Sequence, residues 1–561
     1  MTNKATKCLK CDNCDAIHTS VLNDSDSSCP SGVQKCTACK NVDKLRLEVK
    51  DTIARLKHLL QDLRHAKTEM NHNHSAVSTK LPPEILYSIF ESYVSDPVLP
   101  RDGNGTFDES CRRKKMARPV VLSQVCSDWR QVALATPQIW TNVVLLWDVR
   151  GQKEIDRVRK WISRSRRFPL DMYLDTSSRG RGSVEDWPPP FDSLHPSFFP
   201  MLQLIASTSA QWRYFTTRAP YCVWEYLGQH VRDIDLLEEL NMRRVFSGEV
   251  SEGLLWTHCQ PAPESVELFD CLPNRINIQW NTVTTMKVAH VNTEQCLTFL
   301  SSASNLVTCI FEDIRREDGE ERLRHVSRPA IKHEKIQNFT YDSDYSFISY
   351  RLELPNLRSF TCRLDTFNEF HEGFFESMLG LKELSISRIS CNAETLQSVL
   401  LKVPEKVTHL SLTCEKNYRD RQIDSRAEVM RVLDQTLHVS TNTNANTDDL
   451  ILPNLTSLEI RADTKDFPWK YVPQCFGPIV VGNIGELKGL RRRRPLSRFR
   501  VSDETWLRCT SDCDKSRHLI PADVLKDLVA LQRKGVEIMF QHMDGVDMLA
   551  RSIVNAGLGN D

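Results

Sequence analysis

The sequence predicts an α/β chain in which an N-terminal helix and a small all-helical module precede a long stack of strand–helix units. Two observations carry this. The first is a short apolar pattern that opens at Val283, Leu306, Ile336, Leu357, Leu381, Val407 and Leu455, at intervals of 23, 30, 21, 24, 26 and 48 residues. The second is a pair of segments, 81–93 and 121–140, whose apolar residues recur at helical spacing and whose borders carry prolines.

The chain opens with a polar stretch, 1–40, that holds six of the 19 cysteines. It has too few large apolar residues to form a core and reads as a disordered tail. Cys8, Cys11, Cys36 and Cys39 form two C-x-x-C pairs whose turns could aim four thiolates at one zinc ion; surface thiols on a loose tail are the alternative. Residues 43–70 read as a helix or short coiled coil. Val49, Ile53, Leu56, Leu60 and Leu63 step by four and three, but Lys67 stands at the next position. This face either packs on its own chain or self-associates. Asn71 to Ser75 reads as a linker.

In the first apolar segment, Pro82 and Pro83 stand where a helix begins and where proline's missing N–H costs least. Glu84 suits the positive end of the helix dipole. Ile85, Leu86, Ile89, Phe90 and Tyr93 share one face. In the second, Val121, Leu122, Val125, Cys126, Trp129, Val132 and Ala133 make one stripe, which Thr136-Pro137 breaks before Ile139-Trp140. The polar stretch between them, from Ser95 through Lys115, reads as a surface loop. A module this small is marginal without a neighbour or partner.

The order Leu-Pro-Pro-Glu-Ile-Leu, Val-Cys-x-x-Trp-Arg, Pro-x-Ile-Trp over 81–140 resembles an F-box. The connection between its halves is longer than usual for that module. An ordinary helix pair packed on its own domain is the plainer alternative.

Behind 80–145 a helix is expected from Lys153 to Arg167, with Ile155, Val158, Trp161 and Ile162 inward. Thr176 to Pro190 reads as a loop. The repeated pattern then takes over. Each unit supplies a short strand whose alternate side chains point inward, and segments such as 293–300 and 394–400 return as helices. The 20–29-residue spacing and L-x-x-L-x-L core are those of leucine-rich repeats. Such units bury their apolar edges only by stacking, so 150–540 reads as an irregular leucine-rich-repeat solenoid. Weaker echoes stand at Trp212-x-x-Phe215 and Val231-x-x-Ile234-x-Leu236, and Val536–Phe540 closes the stack after a helix at 522–534. The low-complexity tract at 440–449 falls in the one double interval, as an insertion that interrupts or replaces a repeat. An unrelated α/β domain with coincidental leucine spacing is the alternative.

An F-box followed by degenerate leucine-rich repeats looks like the F-box proteins of mushroom-forming fungi. Trp161–Ser165 and Trp280–Thr284 are similar to recurrent phrases of that family. The resemblance implies a substrate-recognition subunit of a Skp–cullin–F-box ubiquitin ligase. Leu81, Pro82, Ile85, Leu86, Ile89, Phe90, Val121, Val125, Cys126 and Trp129 would then meet the Skp-type adaptor, and the solenoid would hold an unknown protein target. The rival readings are a binding scaffold whose F-box-like helices only cap the solenoid, and a zinc-dependent nucleic-acid binder acting through the tail.

Composition narrows the rest. Lysine plus arginine equals aspartate plus glutamate at 73 each, which gives no global pull toward nucleic acid or anionic membrane. No run of eighteen apolar residues marks a membrane span, and no apolar signal core follows Met1. A cytoplasmic or nuclear protein with reduced thiols is expected. Arg491–Arg494 and Arg112–Lys115 fit either exposed loops or basic localisation patches. No phosphate loop, nucleophile elbow or H-E-x-x-H appears. No catalytic residue, metal site or cofactor is assigned, and the chain is expected not to be an enzyme.

Overall fold

The computed structural model describes residues 36–74, 81–95, 109–146, 152–176, 198–244, 255–315, 331–343, 347–363, 372–389, 393–414, 425–433, 451–464, 467–476, 495–503, 519–542 and 546–557. The chain divides into two compact units, Met1–Ile139 and Trp140–Asp561.

The first unit is helical. α1 (Thr37–His74) extends beyond the expected 43–70 at both ends. Asn71–His74 continue it instead of forming a linker, because Asn and His cost only a few tenths of a kcal/mol in a helix and no Gly or Pro intervenes. α2 (Pro83–Ser95) starts as the prolines predict, with the Ile85 and Leu86 amides donating to the Pro82 carbonyl at 3.0 and 3.3 Å. The expected loop before Pro119 is helical from Glu109. α3 (Glu109–Val125) runs through Pro119, losing one rung of its ladder there. The stripe read as one helix from Val121 is broken. Cys126 is extended (φ −154°, ψ 178°) and caps α4 (Ser127–Ala135), its Sγ accepting from the Trp129 amide at 3.4 Å. A sulfur cap is easy to miss, since Ser, Thr, Asp and Asn are the usual capping residues. Leu86, Phe90, Val94, Leu122 and Ala133 are buried, and the Phe90 ring lies 5.0 Å from Trp129.

The second unit is built on one parallel sheet. Its strands are β1 (Asn142–Leu146), β2 (Leu170–Asp175), β3 (Trp212–Ala219), β4 (Glu239–Arg244), β5 (Ser265–Phe269), β6 (Thr285–Ala289) and β7 (Thr308–Glu312), then β9 (Asn338–Asp342), β11 (Ser359–Arg363), β12 (Glu383–Ile389), β13 (His409–Cys414), β14 (Ser457–Ala462), β15 (Arg498–Asp503) and β16 (Glu537–Gln541). β8 (Ile331–Lys332) and β10 (Leu352–Glu353) pair beside it. The fourteen strands lie in chain order, each parallel to its neighbours. The sheet thus begins at Asn142, within the span read as the helical module. Crossovers carry α5 (Gln152–Ser165), α6 (Phe198–Ala206), α7 (Tyr221–His230), α8 (Thr293–Ser302), α9 (Glu372–Ser377), α10 (Ala393–Leu401), α11 (Ser425–Leu433), α12 (Val472–Cys475) and α13 (Ala522–Arg533), and α14 (Met548–Asn555) follows β16.

The repeat pattern read from the sequence is this register. Met286, Cys309, Phe339, Phe360, Leu384, Leu410 and Leu458 stand side by side across seven strands. The row continues to Phe499 and Ile538 on one side and to Val266, Leu240, Phe215, Met172 and Val143 on the other. All of these are buried. A second buried row, Val288 to Phe540, runs two residues further along each strand. Rings reinforce the first row: Phe339 stacks on Phe360 at 5.9 Å, and Phe215 on Trp212 at 4.3 Å.

Two expectations need correction. Val231-x-x-Ile234-x-Leu236 is not a strand; Leu236 is 49% exposed. The strand of that unit is β4, and its pattern is Leu237-x-x-Leu240-x-Met242. Across the double interval β13 pairs directly with β14. The extra length is therefore an insertion containing α11 and not a missing rung; Ser440–Thr447 lie outside the described residues.

Units are also tied by asparagine. Asn305, Asn356 and Asn454 each precede an opening leucine, and their Nδ2 groups donate to the carbonyls of Asn281 (2.6 Å), Glu334 (2.7 Å) and Glu405 (2.9 Å) in the preceding turn. At the far end of the strands Asp270, His290 and Asp313 follow β5, β6 and β7 with φ near +60°, +60° and +48°. These polar residues tolerate the left-handed region best after glycine.

Candidate functional site

Two exposed surfaces stand out. On the helical unit, the face of α2 divides between its own core and solvent. Leu86, Phe90 and Val94 recur every four residues and are buried, at 4%, 0% and 3% exposure. One residue before each, Ile85, Ile89 and Tyr93 are 46%, 44% and 44% exposed, and Val121 and Val125 on α3 are 51% and 54% exposed. Apolar residues in aligned i, i+4 pairs on short helices are characteristic of binding faces and costly to leave wet. Arg118 reinforces the α2–α3 junction: its Nη1 donates to the Tyr93 carbonyl at 2.6 Å, and the guanidinium lies 5.1 Å from the Tyr93 ring centre.

The residues singled out from sequence therefore fall into three groups. Pro82, Ile85, Ile89, Val121 and Val125 are exposed; Leu81, Cys126 and Trp129 are partly covered; Leu86 and Phe90 are buried and build the unit. Period alone could not separate Ile85 from Leu86, since neighbouring positions differ by only about 100° around a helix.

The second surface is the open side of the sheet, formed by the residues that alternate with the buried rows. Its middle row reads Glu267, Lys287, Ile310, Thr340, Thr361, Ser385, Ser411, Glu459 and Arg500, all partly exposed. Between β5 and β15 hydroxyls lie toward the centre and charges toward either side; the row then continues to Met539 on β16 and to Asn241 on β4. Toward the C-terminal rim the charges are paired: Lys287 with Glu312 at 2.8 Å, Arg315 with Asp270 at 2.9 Å, and Arg363 with Asp342 and Asp313. Arg243 lies over the Phe269 ring at 4.2 Å, and burial, with Arg218 nearby, lowers its pKa. At the other end Thr464 Oγ1 donates to Asp503 at 2.8 Å, and His542 Nε2 lies 3.5 Å from the same oxygen. All three are buried and link the ends of β14, β15 and β16.

Cys36 and Cys39 stand at the start of α1 with their sulfurs 3.5 Å apart. Cys8, Cys11 and Arg491–Arg494 lie outside the described residues. Among the described residues no cluster of three or more His, Cys, Asp or Glu is arranged to hold a metal, and no helix is long and apolar enough to cross a membrane.

No protein-family model and no curated protein matches the sequence. Among solved structures, the chain is weakly similar to the leucine-rich repeat-containing protein LegL7 from Legionella pneumophila, at 12% identity and a TM-score of 0.31, over 53% of this chain and 92% of that one.

Proposed function

We propose that the chain is the substrate-recognition subunit of a Skp–cullin–F-box ubiquitin ligase, with α2–α4 as its F-box and the stacked sheet as a leucine-rich-repeat receptor. The observation that carries this is the pairing of the F-box-like motif order with the exposed line Ile85, Ile89, Tyr93 and the exposed pair Val121, Val125. These would meet the Skp-type adaptor, while Leu86, Phe90 and Trp129 hold the helices that display them. The open face of the sheet would bind a protein target through its central hydroxyls and the charges to either side of them. Such a subunit performs no bond-breaking step itself. It raises the effective concentration of a target lysine beside the charged conjugating enzyme.

Affinity capture with a Skp-type adaptor tests this. Ile85→Asp with Ile89→Asp is expected to lower adaptor binding at least a hundredfold while the thermal midpoint holds within about 2 °C. Phe90→Ala should instead unfold the unit, since emptying a buried aromatic site costs about 3–5 kcal/mol. Full adaptor binding by the folded double variant removes the ligase reading. The rival capping role predicts no adaptor capture by the wild-type chain and a destabilised sheet in a chain starting at Trp140.

A further inference from the structure

We propose that the full chain is a homodimer joined by a parallel two-stranded coiled coil along α1, an inference that does not depend on the ligase reading. α1 is 38 residues long, about 57 Å at 1.5 Å per residue. The sequence frame through Ile53 and Leu60 fails at Lys67. A neighbouring frame runs unbroken for four heptads. Its first seam position holds Val42, Val49, Leu56, Leu63 and Met70, and its second holds Leu45, Thr52, Leu59 and Ala66. Thr52 is the one polar side chain among the nine. Three to four sustained heptads are what distinguish a coiled coil from an ordinary amphipathic helix.

Every large residue of this seam is wet. Val42 and Val49 are 49% and 47% exposed, Leu45 is 58%, Leu56 and Leu59 are each 55%, Leu63 is 50% and Met70 is 53%. A helix left with so long an apolar stripe draws its stability from whatever covers that stripe.

Three features select a second copy as the occupant and parallel as the orientation. A helix that matches its own repeat supplies a seam of identical length and period, which a solenoid surface does not. Val42 with Leu45 gives the first heptad the β-branched-then-leucine pairing that favours two parallel strands; Leu56, Leu63 and Met70 hold the later first positions. The flanking charges agree: a parallel pair sets Asp62 of one copy beside Lys67 of the other. An antiparallel pair with full overlap sets Arg46 against Lys67 and Glu48 against Glu69, like charges that outnumber its one opposite pair, Arg55 against Asp62. Ile53 and Leu60 flank the seam and widen its apolar cover.

Sedimentation equilibrium of the full chain at micromolar concentration reads the result directly. The expected mass is twice the 64.5 kDa of one chain. Leu56→Glu with Leu63→Glu should give the single-chain mass. Lys67→Asp should raise the dissociation constant severalfold, and adding Asp62→Lys should restore it. Because glutamate at two seam positions can cost helix as well as dimer, Thr52→Leu provides the opposite arm and should tighten the dimer at least tenfold. A single-chain mass for the wild type, which is the outcome if α1 packs on its own chain, overturns the proposal. So does a glutamate variant that stays dimeric, a Thr52→Leu variant of unchanged affinity, or a charge exchange that fails to restore pairing.

Discussion

Cys309 lies in the buried row between Met286 and Phe339, and its thiol meets no water. Burial raises its pKa far above the ordinary thiol range, as it does for Cys271 and Cys362. In the unfolded chain these thiols ionise near pH 8.5. Above that pH the folded protein therefore binds more protons than the unfolded one, and stability falls as pH rises. Below it the contribution is fully present. Each such thiol adds a slope of at most about 1.4 kcal/mol per pH unit. Urea midpoints at pH 7.5, 8.5 and 9.5 should fall less steeply for Cys309→Ala than for wild type, and equal slopes would exclude the buried thiol as a contributor. The same burial makes these cysteines poor nucleophiles.

At the scale of elements, seven strand openings were legible because a strand buried on one side writes a two-residue alternation that survives drift in composition. Leu384, Leu410 and Leu458 each stand three residues after an opening residue of the pattern, and they are adjacent in register. Replacing each by alanine should cost about 2–5 kcal/mol, measured by denaturant unfolding, whereas a change at the partly exposed Ser411 on the opposite side should cost far less. β4 was misread because Val231 and Ile234 are also buried, in the turn that leads to the strand, and an apolar count does not distinguish turn from strand. β5 was missed because Pro263 opens its unit in place of a leucine. The division of the helical unit at Cys126 was illegible for a chemical reason, since the capping atom is sulfur. Gly228 in α7 is another silent requirement: a Cβ there would lie 2.9 Å from the Trp256 amide nitrogen. Gly228→Ala should therefore destabilise the second unit even though alanine is the better helix former, and an unchanged or raised midpoint would show that the backbone at Trp256 can give way. Of the candidate site, the helical spacing was legible but the exposure of each residue was not, because which flank of α2 turns inward depends on the α3 and α4 contacts.

On the scale of the whole molecule, neighbours in space are neighbours in sequence throughout the sheet, from β1 to β16. Each strand leans on the one before it and the one after it, and the last has a neighbour on one side only. On the open face of β16, Glu537 pairs with Arg498 at 2.7 Å and Gln541 accepts from Arg500 at 2.8 Å, both of β15, and Gln541 also bridges to Asp547. Deuterium uptake should therefore trace the chain order. The amides of β16 would open first by fraying and exchange fastest. Protection would rise strand by strand through β15 and β14 and be greatest among β7, β9 and β11, where rungs must separate on both sides before water enters. Uniform exchange across all fourteen strands would mean that the sheet opens as one unit. A gradient would mean that the molecule can loosen one end while its centre stays closed, so that a target held near β14–β16 and one held near β9 would ride on backbones of quite different lifetimes.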